Sequence, residues 1–290
     1  MPRALAGPLV PRGAWEARAE GVFRGAIALG HPDGLWITVL RSREDLEPRG
    51  LWPGPAAFDA LAGLVVPGRP VVFSGEGNPA LGTQGGLVRM DSLDAWDPRP
   101  ETRIAAAAFR AAGPAGSAFA AARLAAALAR DGYSEGLHGD GPFGRRFAEL
   151  RKEPGFPFNL VGFGPGTTPA GDDFLAGWIL GRILRDGEAE TLGAVEGLDT
   201  TRTTVPGRTL LAGAVRGLFP AYLVRVARAL AETAASAPNP LGPGGSGSYG
   251  PDGDAGMEWT AAIGAAFSHG ASSGRDAVRG LMEGAAHETS

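Results

Sequence analysis

The sequence predicts an α+β protein: a β-rich, barrel-like N-terminal domain (1–97) followed by a mainly helical domain (98–290) with glycine-rich loops at helix N-termini. Three observations carry this. Residues 1 to about 95 contain short β-prone runs broken by Gly, Pro and Asp. Past Pro98 and Pro100 the composition turns to alanine-rich helix. From Leu160 to Arg182 a Gly/Thr/Pro loop runs directly into an apolar helical pattern.

Within the first part, EGVFRGAIALG, GLWITVL, AGLVVPGRPVVFSG and GGLVRMDSL read as strands and turns, irregularly spaced. AWDPRPETR marks the domain boundary. Helices are then expected from about Ile104 to a break at Gly113-Pro114, from Ser117 to Arg130, and from Phe143 to Lys152. Further ones are expected from Pro206 to Arg216 and from Ala221 to Ala234. Residues 237–256 have almost no apolar content and read as a loop. The C-terminal part reads as helix (MEWTAAIGAAF), Gly/Ser turn (SHGASSGRD) and helix (AVRGLMEGAA).

Composition narrows the function classes. With 44% hydrophobic and 20% charged residues, the chain has the balance of a soluble globular protein. The 47 Gly and 24 Pro imply many turns and close backbone contacts. There are no cysteines, so disulfides, thiol nucleophiles and thiolate metal sites are excluded. No signal-peptide-like run or long uncharged apolar span is present, which gives a cytoplasmic, non-membrane reading. The net charge is −4, the arginines are scattered and Lys152 is the sole lysine, so neither nucleic-acid binding nor a P-loop is indicated.

The stretch LVGFGPGTTPAGDDFLAGWILGR concentrates backbone constraints and charge. Gly162, Gly164, Gly166 and Gly171 allow close approach to a ligand. Thr168 followed by Pro169 reads as an N-cap with proline at the first helical position. Unpaired N–H groups and the positive end of the helix dipole would then face the loop's contents, the outline of an anion site.

The C-terminal segment repeats part of this skeleton. Gly171, Asp173, Gly177 and Gly181 share their spacing with Gly274, Asp276, Gly280 and Gly284, which puts an aspartate and two glycines on one face of each helix. The pair reads either as two helix N-termini converging on a common site, or as first-turn aspartates with packing glycines and a Ser273–Asp276 capping box.

The run from Gly162 to Gly177, together with Thr200-Thr-Arg-Thr-Thr and Gly270-Ala-Ser-Ser-Gly-Arg-Asp, resembles the AllH family, which includes the YlbF-type subunit of oxamate carbamoyltransferase. The resemblance spans about Leu160 to Gly217 and Ala262 to Leu281. Thr167 and Ala170 stand where the family usually has Leu and Ser. The resemblance implies a subunit acting with FdrA-type and YlbE-type partners in phosphorolysis of oxalurate to oxamate and carbamoyl phosphate, or its reverse. A non-catalytic ligand-binding or regulatory subunit of an FdrA-type complex is the alternative.

In this reading Asp172, Asp173 and Asp276 are the candidate catalytic residues. Gly162, Gly164, Gly166, Thr167, Thr168, Gly171, Thr203, Thr204, Ser272, Ser273 and Gly274 are the candidate ligand-binding set for a small anion of the carbamoyl phosphate or oxamate type. Because the aspartates would repel bare phosphate, they would hold Mg²⁺ or an amide NH₂, or orient a water or an arginine; no other cofactor is read from the sequence. Arg202, Arg208 or Arg275 would supply a planar partner for phosphate or carboxylate. Gly270-Ala-Ser-Ser-Gly also fits a nucleophile elbow at Ser272, and Gly162-x-Gly-x-Gly weakly suggests a dinucleotide fold; both lack the strand context those motifs need.

Overall fold

The computed structural model describes residues 3–75, 79–131, 137, 141–237 and 254–286; most of the expected 237–256 loop, His138 and His287 lie outside them. The chain divides into two compact units, Met1–Asp97 and Pro98–Ser290.

The first unit contains β1 (Ala4–Ala6), β2 (Trp15–Val22), β3 (Ala26–Gly30), β4 (Trp36–Leu40), β5 (Gly50–Trp52), α1 (Pro55–Ala62), β6 (Pro70–Ser74), β7 (Ala80–Thr83), β8 (Gly86–Arg89) and β9 (Leu93–Ala95). These strands form one sheet in the order β8-β7-β6-β2-β3-β4-β5-β1-β9. Most neighbours are antiparallel; β4 with β5 and β1 with β9 are parallel. The barrel-like expectation is corrected here. Closing a barrel requires the two edges to pair, whereas β8 and β9 end opposite edges of an open sheet.

Strand β2 shows why the sheet has an inside. Trp15, Ala17 and Ala19 point into the core while Glu16, Arg18 and Glu20 face solvent, the alternation of a half-buried strand. Ile27, Leu29, Ile37, Val39, Leu51 and Phe73 share that core with Phe58 and Leu61 of α1. Helix α1 was not anticipated, although Pro55 at its first turn is a helix-start signal. Arg49 is buried among these strands and is neutralised by Asp33 at 2.9 Å, with Nε donating to the Trp36 carbonyl.

The second unit is helical: α2 (Arg99–Ala111), α3 (Gly113–Asp131), α4 (Pro142–Leu150), α5 (Ala170–Asp186), α6 (Glu188–Ala194), α7 (Val205–Ala214), α8 (Ala221–Ala235), α9 (Asp254–Phe267) and α10 (Ser273–Ala285). The expected helices are present within a few residues, except that α3 starts at Gly113 and α10 four residues before Ala277. Helix α6 was not foreseen. Leu124, Leu128, Ile179, Ile183, Phe219, Leu223, Leu230, Val278 and Leu281 meet in one core.

Helix α5 is buried on almost every side, so it sits at the centre of this unit rather than on its surface. Its closest neighbour is α10. A Cβ added at Gly177 would fall under 3.0 Å from backbone atoms of Ala277 and Leu281, and one at Gly181 from those of Leu281 and Ala285. Reciprocally, Gly280 faces the backbone of Phe174 and Trp178, and Gly284 that of Trp178 and Arg182. Contacts advance in the same direction along both helices, so the pair is parallel and nearly symmetric. The two copies of the repeated skeleton are thus the two halves of one backbone-to-backbone contact.

Adding a methyl group at this contact forces the helices apart. Gly177→Ala or Gly280→Ala is expected to lower stability by about 3 kcal/mol. Gly264→Ala, on an exposed turn of α9 with open space around it, is expected to raise stability by about 0.5–1 kcal/mol. Urea unfolding of the three variants checks the contrast.

Candidate functional site

Because α5 and α10 run parallel, their N-termini lie at the same end. Asp173 and Asp276 therefore meet there, 3% and 1% exposed. The Ser273 hydroxyl, at the first residue of α10, hydrogen-bonds across the contact to the Asp173 carboxylate. Among the described residues Asp173 Oδ2 has no hydrogen-bond partner.

Burial pushes Asp173 well above the usual carboxylate range; the Ser273 hydrogen bond opposes this, and the charges of Asp276 and Asp172 add to it. The two helix dipoles favour negative charge at this end by about 0.3–1 kcal/mol each. Removing a carboxylate from water costs several kcal/mol, so burial wins. The site holds a proton-binding carboxylate in a dry, partly positive setting.

Asp172 has a different job. Its Oδ1 accepts from the Gly162 backbone N–H at 2.8 Å and its Oδ2 from the Thr203 hydroxyl. Burial raises its pKa, and those two hydrogen bonds pull it down again. The carboxylate thereby ties α5 to both the glycine loop and the Thr203 segment. Gly207, in the first turn of α7, lies so close to the Asp172 carboxylate and the Thr203 hydroxyl that a Cβ would overlap both.

The glycine loop is held by its own chain. Gly162 has φ +75° and packs against the Arg202 carbonyl, where any side chain would collide. Gly164 and Gly166 also have positive φ, and Gly171 abuts the Leu160 carbonyl. The Thr204 hydroxyl caps α7 by accepting from Gly207 N–H at 3.1 Å and donates to the Thr167 carbonyl at 2.7 Å. Thr167 is exposed and Thr168 half-buried.

Two local expectations change. Helix α5 begins at Ala170 with Pro169 as its N-cap, one residue beyond the Thr168–Pro169 signal. Its early N–H groups are used internally: Gly171 donates to Phe163 O, and Asp172 and Asp173 to Pro169 O. An anion at this helix end would find those donors taken. Helix α10 begins at Ser273, after Ser272 as N-cap with no side-chain cap, so the Ser273–Asp276 capping box does not form. Gly274 instead packs against the Ala266 carbonyl.

Neither weaker motif finds its context. The segment before Ser272 is helix α9, not a strand, and the glycine loop follows a 3-10 turn at Phe158–Leu160. Among the described residues no group of three or more His, Asp or Glu side chains is placed to hold a metal ion.

Of the arginines, Arg275 donates to the Phe267 carbonyl and lies over the Phe267 ring. Arg202 is largely exposed, 3.9 Å from Asp199. Arg208, one residue after Gly207, keeps a buried Nε without a hydrogen-bond partner among the described residues.

A cavity of about 390 Å³ lies next to this framework, lined by Phe158, Asn159, Val195, Glu196, Asp199 and Arg202 among others. Asn159 was not singled out from the sequence. Its signal was a lone amide inside the apolar run FPFNLVGF.

Residues 160–241 match the sequence model of a family described as oxamate carbamoyltransferase subunit AllH. The match covers the glycine loop, α5, the Thr203 segment, α7 and α8, and bears out the resemblance read from those motifs; it does not extend to α10. No curated protein and no solved structure matches the chain. No helix among the described residues is long and apolar enough to cross a membrane.

Two measurements probe this geometry. A carboxyl whose folded pKa is raised holds a proton that the unfolded chain has already released, so stability falls as pH rises from about 4 through the folded value. Asp173→Asn is therefore expected to melt a few degrees higher than wild type at about pH 7, the gain vanishing near pH 4. Thr203→Val, which leaves a buried oxygen of Asp172 unpaired, is expected to cost about 1–3 kcal/mol in denaturant unfolding.

Proposed function

We propose that this chain is a subunit of an oxamate carbamoyltransferase-like complex, working with FdrA-type and YlbE-type partners on a small anion of the carbamoyl phosphate or oxamate type. The observation that carries the reading is the family match over 160–241, which includes the loop and helix that present Asp172 and Asp173.

The chemistry of the site refines the ligand. Asp173, which burial keeps protonated, offers a phosphoryl group no cation, but retains acceptor capacity, and its buried Oδ2, without a partner among the described residues, is suited to the NH₂ of a carbamoyl or oxamate amide. In this reading Asp173 and Asp276 orient that amide and Ser273 fixes the Asp173 carboxylate. Asp172, Thr203 and Thr204 hold the loop, and Arg208, whose buried Nε has no partner among the described residues, is the guanidinium assigned to phosphate or carboxylate. Aligned groups of this kind lower a barrier by positioning and by charge stabilisation.

A second reading, a non-catalytic ligand-binding or regulatory subunit, is favoured by two observations. The N–H donors of Gly171, Asp172 and Asp173 are consumed internally, and Asp173 is not among the residues lining the cavity.

Assay of the assembled complex for phosphate-dependent oxalurate cleavage separates the two. Asp173→Asn and Asp276→Asn are each expected to reduce turnover by roughly 10²-fold while the complex still co-elutes on size exclusion. Full activity in both variants would leave the regulatory reading standing.

A further inference from the structure

The cavity beside the glycine loop has a floor and a rim of different character. Its floor is apolar: Phe158 from the turn at Phe158–Leu160, and Ala194, Val195 and Leu198 from the end of α6 and the loop after it. The Phe158 ring is held from behind, edge-on to Trp178 of α5, and Val195 is buried in the core of the unit. At about 390 Å³ the cavity lies at the small end of ligand pockets, which run from about 300 to 1,000 Å³.

Its rim is charged, and the charges do not cancel. Glu196, Asp199 and Arg202 all line it. Asp199 is occupied: the Thr201 hydroxyl and N–H donate to its carboxylate and hold it below the usual range. The Glu196 carboxylate has no hydrogen-bond or ion-pair partner among the described residues. Arg202 makes a 3.4 Å contact to the Phe158 carbonyl and stands 3.9 Å from Asp199, too far for a hydrogen bond, and it does not pair with Glu196. An exposed charge without a partner is ordinary on its own. A free carboxylate and a weakly held guanidinium around one apolar floor amount to more: an anchor for a cation, an anchor for an anion and a seat for an apolar group.

A zwitterion with an apolar tail carries all three. With two carboxylates to one guanidinium, the rim disfavours a ligand that brings negative charge alone, whether phosphate or a simple carboxylate. We propose that this cavity binds a free α-amino acid with a branched aliphatic or aromatic side chain, its ammonium on Glu196, its carboxylate on Arg202 and its side chain over Phe158 and Val195. Neither Asp173 nor Asp276 lines the cavity. Such a site goes beyond the proposed function and does not depend on it.

The test is isothermal titration calorimetry of the full chain with leucine and with phenylalanine. The controls are the matching acid without the ammonium, the matching amine without the carboxylate, glycine, and oxamate, which has neither ammonium nor side chain. At least one of the two amino acids is expected to bind saturably, and every control roughly tenfold or more weakly. Glu196→Gln and Arg202→Gln, both at exposed side chains, are each expected to weaken that amino acid roughly tenfold or more while melting with wild type. Absence of saturable binding by either amino acid overturns the proposal. So does an acid or amine that binds as tightly as the amino acid, or binding untouched by both substitutions. None of these failures bears on oxalurate cleavage by the complex, which tests the proposed function separately.

Discussion

The contact that the second unit depends on is the one between the glycine faces of α5 and α10. Only a hydrogen side chain at Gly177, Gly181, Gly280 and Gly284 lets the two backbones meet. Because the helices are parallel, that contact also fixes where their first turns lie. Asp173 and Asp276 are driven together into a dry space with two positive helix ends behind them.

A protein gains no stability from such an arrangement. Burial and the neighbouring carboxylates raise Asp173 well above an ordinary aspartate, which makes its ionised form a liability at neutral pH. The Ser273 hydrogen bond offsets only part of this. Buried acids held at such a cost recur at functional sites, and that energetic argument, more than the loop's glycine content, makes this end of the helix pair the candidate.

Around the pair, the loops are latched rather than open. Asp172 bridges Gly162 and Thr203, and Thr204 bridges α7 and Thr167, so the glycine loop, the Thr203 segment and the start of α7 form one hydrogen-bonded block. The cavity with Asn159 and Arg202 shares a wall with that block. The buried carboxylate pair and the adjoining cavity are thereby linked through consecutive residues, Arg202 on the cavity wall and Thr203 on Asp172.

The sequence alone determined the division into a β-rich and a helical part, most helix positions, and the spacing shared by Asp173-Gly177-Gly181 and Asp276-Gly280-Gly284. These are legible because local periodicity and glycine placement act over a few residues. Tertiary structure decided the rest. An open sheet rather than a barrel follows from which strands pair at β8 and β9, and strand pairing is non-local. The separation of Asp172 from Asp173, adjacent in sequence but one a loop latch and the other a buried, partly unpaired acceptor, depends on Gly162, Thr203 and Ser273, which arrive from three distant segments. The cavity beside Phe158 and Asn159 exists only because residues 194–199 and Arg202, far along the chain, pack opposite them. Spacing can place a carboxylate on a helix face, but its solvent, partners and proton are set by whatever packs against that face.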